Sequence, residues 1–406
     1  MTTTAETTFD AFDPAHRADP YPVYRKARDA GALLPFSLGD VPVTLITRYE
    51  ECAAVLTGAD WGHGYAAGIS PFRDAVAAIP GSFVRMDPPE HGRLRGLVNK
   101  AFTPRTVADM VPLADRVVTE LVDAAMERGE LDVLNDLAVP LAVAMIPGRL
   151  LGADPADGEL FRRWQLAIAR GSDPDSLLDD EAMAERSVAA REVMEYFAAL
   201  ITRKRAHPTP DLLSDLIAAE QSGDSLSGPE VLGLCLLLLV AGMETSINLI
   251  GNGMLALLRN PAQQELLRGR PELIPAAIDE MLRYDAPTQF TLRVALADTE
   301  VGGRVFRRGE GVIVLTASAG RDDRVYPDAD TFDITRYHGT RPARRHLGFS
   351  LGLHFCVGAP LARIEAETAL RTLLDRTRDL TLATETVSYR PSLIHRGLLS
   401  LPVTLS

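Results

Sequence analysis

The chain has 406 residues, 46% of them hydrophobic, so it can bury a large core. Its formal net charge of −13 argues against nucleic-acid and anionic-membrane partners, since both need a positive surface to engage phosphates. The three cysteines, Cys52, Cys235 and Cys356, lie far apart; they lack zinc-type pairing or an even disulfide framework and fit a reducing cytoplasm.

Residues 1–8 are polar and threonine-rich, without the basic-then-apolar order of a secretion signal, and read as a short disordered start. Apolar periodicity predicts helices over 19–30, 49–56, 90–102, 106–128, 137–151, 159–170 and 180–205. Pro140 and Pro147 could each break or kink the fifth. Residues 43–47 alternate as a short strand, and 299–316 hold two β-like runs joined at Gly302-Gly303, a hairpin signal. No Gly/Ser-rich or charged linker divides the chain, so a single domain, mainly α with a small β region, is expected over residues 1–406.

Ser227-Gly228-Pro229-Glu230 is a capping-box pattern with proline in the first turn, and the helix it opens can run to Asn260. Its most apolar run, 231–243, falls short of the roughly 18 to 20 residues that cross a bilayer and reads as a helix buried on all sides. In its middle, Ala241-Gly242-Met243-Glu244-Thr245-Ser246 places an acid and a hydroxyl where polar groups are costly without partners. Ala241 and Thr245 share a face, so the hydroxyl can bond the Ala241 carbonyl if the helix loosens at Gly242, and a kink there would open a groove. Taken alone, the same pattern describes a back-bonded core threonine equally well.

Glu280 and Arg283 stand at i and i+3 and can pair on a helix face; an isolated pair of this kind is by default an ordinary surface contact. Further on, the segment from Phe349 to Arg363 is punctuated by glycine and carries Cys356 just ahead of Pro360, which suits a first helical turn. The sulfur therefore sits near the positive end of a helix, where amides and dipole favour its anion. Gly352 and Gly358 remove side chains on either side of it, so backbone can pass close to a flat group. A lone cysteine is otherwise most often a small buried hydrophobe.

Phe349, Gly352, His354, Cys356, Gly358, Leu361, Ala362 and Arg363 fit the haem-binding signature of the cytochrome P450 family, which the chain resembles. Ser350 departs from the pattern, since many members have glycine there. The resemblance implies a triangular helical body with a long central helix and minor antiparallel sheets, and haem b with the Cys356 thiolate as axial ligand to the iron. It implies that Ala241 and Gly242 lie against the haem and that Glu244 and Thr245 are catalytic, guiding protons and water in a dry site. Glu280 and Arg283, locked by Arg336, would hold the cysteine side together. His91, Arg95, Arg293 and His354 would bind the haem propionates.

By the same resemblance Leu238, Leu239, Val240, Pro287, Thr288 and Ile394 would line a pocket for an apolar small molecule, such as a polyketide, macrolide, terpenoid or peptide of secondary metabolism. The implied reaction uses O2 and two electrons and inserts one oxygen atom into the substrate. No Gly-x-Gly-x-x-Gly nucleotide unit is present, so the electrons would come from a ferredoxin or flavodoxin with a separate NAD(P)H reductase. Arg93, Lys100, Arg105, Arg344 and Arg345 would offer that partner a basic surface, or simply serve solubility. The chain looks like the soluble bacterial members, expected as a cytoplasmic monomer. Two other readings are a peroxygenase driven by hydrogen peroxide, against which Glu244 and Thr245 count, and a non-enzymatic haem-thiolate sensor.

Overall fold

The helix Gly228–Leu258 is apolar on nearly every face, so it has to run through the middle of the molecule. Ser227 and Glu230 close a capping box at its start, the Glu230 carboxylate accepting from the Ser227 amide at 2.7 Å, with Pro229 in the first turn. The computed structural model describes residues 13–170, 173, 175, 178–222 and 226–406; the start expected to be disordered, 1–8, lies outside them. Helices Asp180–Ala206, Leu212–Gln221, Ile274–Tyr284 and Ala359–Arg376 pack around the long helix and share its core.

Two sheets and a hairpin flank this helical body. The larger sheet runs in the order Leu33–Leu38, Val41–Ile46, Gly311–Val314, Thr291–Ala295, Trp61–Gly62, with Val41–Ile46 and Gly311–Val314 parallel and the other pairs antiparallel. Strands Glu130–Asp132, Pro402–Leu405 and Leu380–Leu382 form the second. The hairpin predicted around Gly302-Gly303 joins Thr299–Val301 to Arg304–Phe306, and both glycines have positive φ, as a two-residue turn of this twist requires.

The predicted helix 106–128 is two helices, Pro104–Ala108 and Val111–Arg128, because Pro112 cannot continue the first and instead occupies the first turn of the second. Residues 133–150 stay helical despite their prolines: the chain widens to π-type turns at both ends, and the Leu151 amide reaches back five residues to the Ile146 carbonyl at 3.0 Å. The groove expected at Gly242 is not marked by any break in the helix. The long helix is continuous there, and a Cβ on Gly242 would lie 3.1 Å from the Ile146 side chain, so the glycine serves close helix packing. The expectation that this helix is too short in apolar residues for a bilayer is also corrected. Both Val133–Leu150 and Gly228–Leu258 are long and apolar enough to cross a membrane, and both are mostly buried inside the fold.

Candidate active site

Backbone bonds shape the cysteine loop. The Cys356 amide donates to the Phe349 carbonyl at 2.9 Å, the Ser350 amide to Leu347 at 2.8 Å, and one tight turn, Gly352–His354, precedes the cysteine. Pro360 then sits in the first turn of Ala359–Arg376. Gly352 has φ +66°, and a Cβ there would lie 2.4 Å from the Leu56 carbonyl oxygen, so the turn and the end of the helix Tyr49–Thr57 demand this glycine, not a flat neighbour. At Gly358 the nearest atom to a Cβ would be the Cys356 sulfur, 3.9 Å away, leaving that side of the sulfur unobstructed.

Ser350 occupies the left-handed region at φ +60°, and its hydroxyl is buried without a partner. Glycine suits this backbone, which gives the departure at Ser350 a physical cost. Ser350→Gly is expected to stabilise the protein by about 1 kcal/mol, raising its melting temperature by roughly 2 °C. A lower melting temperature would show that the hydroxyl holds the loop.

The helix start alone does not make Cys356 anionic. Burial pushes its thiol up, while the amides of Gly358 and Ala359 and the charge of Arg95 pull the other way without prevailing. A metal cation completes the balance, because a coordinating thiol is deprotonated outright.

Above the loop the chain gathers donors and almost no acceptors. His91, His354 and His63 meet edge to face, with ring centroids 4.5 Å apart for His91 and His354 and 5.0 Å for His63 and His354. Both ring nitrogens of His91, and Nε2 of His63 and of His354, are buried without a partner. Burial and neighbouring guanidinium groups push all three imidazoles below their usual value. Arg293, 4% exposed, is lowered to about 10 by burial and then by Arg85. It bonds Thr291 Oγ1 at 2.9 Å and the Leu292 carbonyl at 2.8 Å. Arg95 is spent on the cysteine loop itself, donating to the Leu353 carbonyl at 3.1 Å and to that of Phe355. Buried cations and unpartnered N–H groups without an anion are unstable by themselves. A group carrying two carboxylates and a metal fits them and Cys356 together, which is the chemistry of haem. Phe349 packs behind, near the Arg363 guanidinium.

On the long helix Ala241 is exposed and Thr245 half-buried amid buried neighbours, and the Thr245 hydroxyl donates to the Ala241 carbonyl at 2.8 Å. Glu244, 3% exposed, is not free: it pairs with Arg390 at 3.0 Å and accepts from Asn248 at 2.8 Å and from Gln165. Arg390 belongs to the C-terminal hairpin and Gln165 to the helix Gly158–Arg170, partners that nothing local in the sequence announces.

Glu280 and Arg283 form a fully buried two-pronged pair with both contacts at 2.7 Å, and Arg336 joins Glu280 at 3.2 Å. Arg283 also donates to the carbonyls of Gly320, Ala329 and Thr331, and the Asp333 amide to Glu280 at 2.9 Å. This cluster fastens the helix Ile274–Tyr284 to the segment leading to the cysteine loop.

Of the expected pocket residues, Thr288 bridges His395, Ile394 is nearly buried beside it, and Pro287 accepts from the Arg396 amide at 2.8 Å. Leu238 lies within a quarter turn of the Ala241 face and Val240 is half-buried. Leu239 is a correction: at about 100° per residue it points away from Ala241, and it is 1% exposed in the main core. The surroundings are also less apolar than expected. Asp173 accepts from Ser392 Oγ at 3.0 Å and from the Leu393 and Ile394 amides, and His395 keeps a buried unpartnered Nδ1.

The chain belongs to the cytochrome P450 family. Residues 174–393 match the family model described as Cytochrome P450. Cytochrome P450 107B1 of Saccharopolyspora erythraea is 38% identical, the alignment covering 97% of this chain and 96% of that protein. The 6-deoxyerythronolide B hydroxylase of the same organism is 36% identical over the whole of both. A solved structure of P450BioI with hexadec-9Z-enoic acid on an acyl carrier protein superposes with a TM-score of 0.88 at 35% identity, covering 97% of this chain and all of that one. The fold is thus the P450 fold, the cofactor is haem with the Cys356 thiolate as axial ligand, and the enzyme class is monooxygenase.

Proposed function

We propose that the enzyme inserts one oxygen atom, by hydroxylation or epoxidation, into an apolar small molecule of secondary metabolism, a polyketide or macrolide first, with terpenoids and peptides as further classes. The relative named as a 6-deoxyerythronolide B hydroxylase supports the macrolide class. The bound haem supplies the iron at which O2 is activated, with electron density pushed from the thiolate. Everything else falls to the chain. His91, Arg293 and His354 answer the propionate charges, and Arg95 joins them where a bond now given to the Leu353 or Phe355 carbonyl passes to haem. Thr245, its hydroxyl tethered to the Ala241 carbonyl, keeps one oriented oxygen, free to accept from water and relay its proton, on the exposed stretch of an otherwise buried helix, and this observation carries the reading. The apolar neighbours Leu238 and Val240 limit water, so protons arrive by that hydroxyl and not at random. Glu244 contributes once its bond to Arg390 lengthens, because a carboxylate held by three donors has no proton to pass on.

The two electrons come from a ferredoxin or flavodoxin reduced by a separate NAD(P)H reductase. Arg344 is engaged by Glu50, and Arg93 by Glu90 and Glu230, so Lys100, Arg105 and Arg345 carry more of the docking charge than the sequence alone implies.

Thr245→Ala tests the assignment. With surrogate redox proteins, electron consumption continues while product per electron falls by roughly 10- to 100-fold. Unchanged coupling would remove Thr245 from proton delivery, and equal product from hydrogen peroxide alone would favour the peroxygenase reading.

A further inference from the structure

Four haem-facing donors, His91, Arg95, Arg293 and His354, follow from the family resemblance; the donor cluster contains a fifth side chain that the resemblance does not name. His63 is 4% exposed and lies between two glycines at the end of the strand Trp61–Gly62. Asp87 fixes it there: its two carboxylate oxygens accept from the amides of His63 and Gly64, each at 2.8 Å. A Cβ on Gly62 would lie 2.2 Å from the Asp87 oxygen, so the clamp requires glycine at that position. The same aspartate precedes the helix Glu90–Asn99 by three residues, so one clamp brings both His63 and His91 against His354. The ring of Tyr65 lies nearly parallel to His63, 12° off with centroids 6.3 Å apart, which sets the imidazole plane.

This construction spends a backbone clamp and a stacked ring on orienting an imidazole whose Nε2 then meets no protein partner. Buried donors are normally satisfied. Among the described residues no group of three His, Cys, Asp or Glu side chains is placed to hold a metal ion, so a separate metal site does not account for it. Its charged neighbours are Arg293 and Arg85, both cations, and Asp87 is consumed by the amides. A neutral imidazole in such surroundings has one N–H to give, and an anion from outside the chain is the acceptor that completes it.

We infer that His63 is a haem-anchoring residue, donating from Nε2 to a propionate alongside His91 and His354, with Asp87 as its positioning residue. The inference rests on the haem-thiolate assignment of the same site.

The test uses the holoenzyme with His63→Leu, which keeps the bulk and loses the donor, and His63→Gln, which keeps an N–H. Haem transfer to excess apomyoglobin and the haem midpoint potential are measured on both. The Leu variant is expected to lose haem about tenfold faster than the parent and to show a more negative potential, since an unanswered propionate favours the oxidised iron. The Gln variant is expected to stay within about twofold of the parent on both. Parent-like retention and potential in the Leu variant would overturn the inference, and so would equal impairment of the two variants, which marks packing alone. The reduced carbon monoxide spectrum of the parent is recorded alongside: a missing thiolate band there counts against the haem-thiolate assignment, not against His63 alone.

Discussion

Arg283→Ala is expected to leave no stably folded holoenzyme. The side chain is 1% exposed and makes both prongs of the pair with Glu280 while answering three backbone carbonyls, those of Gly320, Ala329 and Thr331. Removing one partner of a buried pair costs about 3–5 kcal/mol, and the orphaned carbonyls add to that. The total approaches the whole stability of a typical domain, about 5–15 kcal/mol. Arg336 does not compensate: its contacts with Glu280 are 3.2 to 3.3 Å, and it is already committed to the Pro327 carbonyl. Arg283→Lys keeps the charge but not the fork, so it is expected to fold with a clearly lowered melting temperature. Soluble Arg283→Ala protein that binds haem and melts within a few degrees of the parent would show that the cluster is not what holds the cysteine side together.

Arg390→Met is the second large effect. It strands the Glu244 carboxylate in a buried site, with only Asn248 and Gln165 left to bond it, and is expected to cost about 3 kcal/mol or more. The double change Arg390→Met with Glu244→Leu removes both charges and is expected to recover most of that loss, as buried pairs exchanged for apolar groups usually do. Urea unfolding of the parent and both variants measures this. A single variant as stable as the parent would mean that Glu244 is solvated, and therefore free to carry protons without first leaving Arg390.

The elements with short-range chemistry were readable in advance. The capping box at Ser227, the paired glycines at 302 and 303 and the proline that opens the helix after Cys356 each act within a few residues of chain, and the structure has all three. Other local signals went unused: Asp211 caps the unexpected helix Leu212–Gln221, and Pro112 marks where 106–128 divides. The resemblance puts Leu239 in the pocket with its neighbours Leu238 and Val240, whereas counting 100° per residue puts it on the far face. What no local pattern holds is pairing across the chain. Gln165 and Arg390 stand 225 residues apart yet meet at Glu244, and His63 reaches His354 only through the folded sheet and the Asp87 clamp. Ser350 lies between these cases. Its departure from the signature was visible, but the reason it matters, a positive φ with a buried hydroxyl, is a property of the folded loop.

The most direct measurement is the absorption spectrum of the reduced carbon monoxide complex of the purified enzyme and of Cys356→Ser. The parent is expected to show the strongly red-shifted Soret band of thiolate-ligated haem, and Cys356→Ser to lose it. A parent spectrum without that band, or a Cys356→Ser variant that keeps it, would contradict ligation by Cys356.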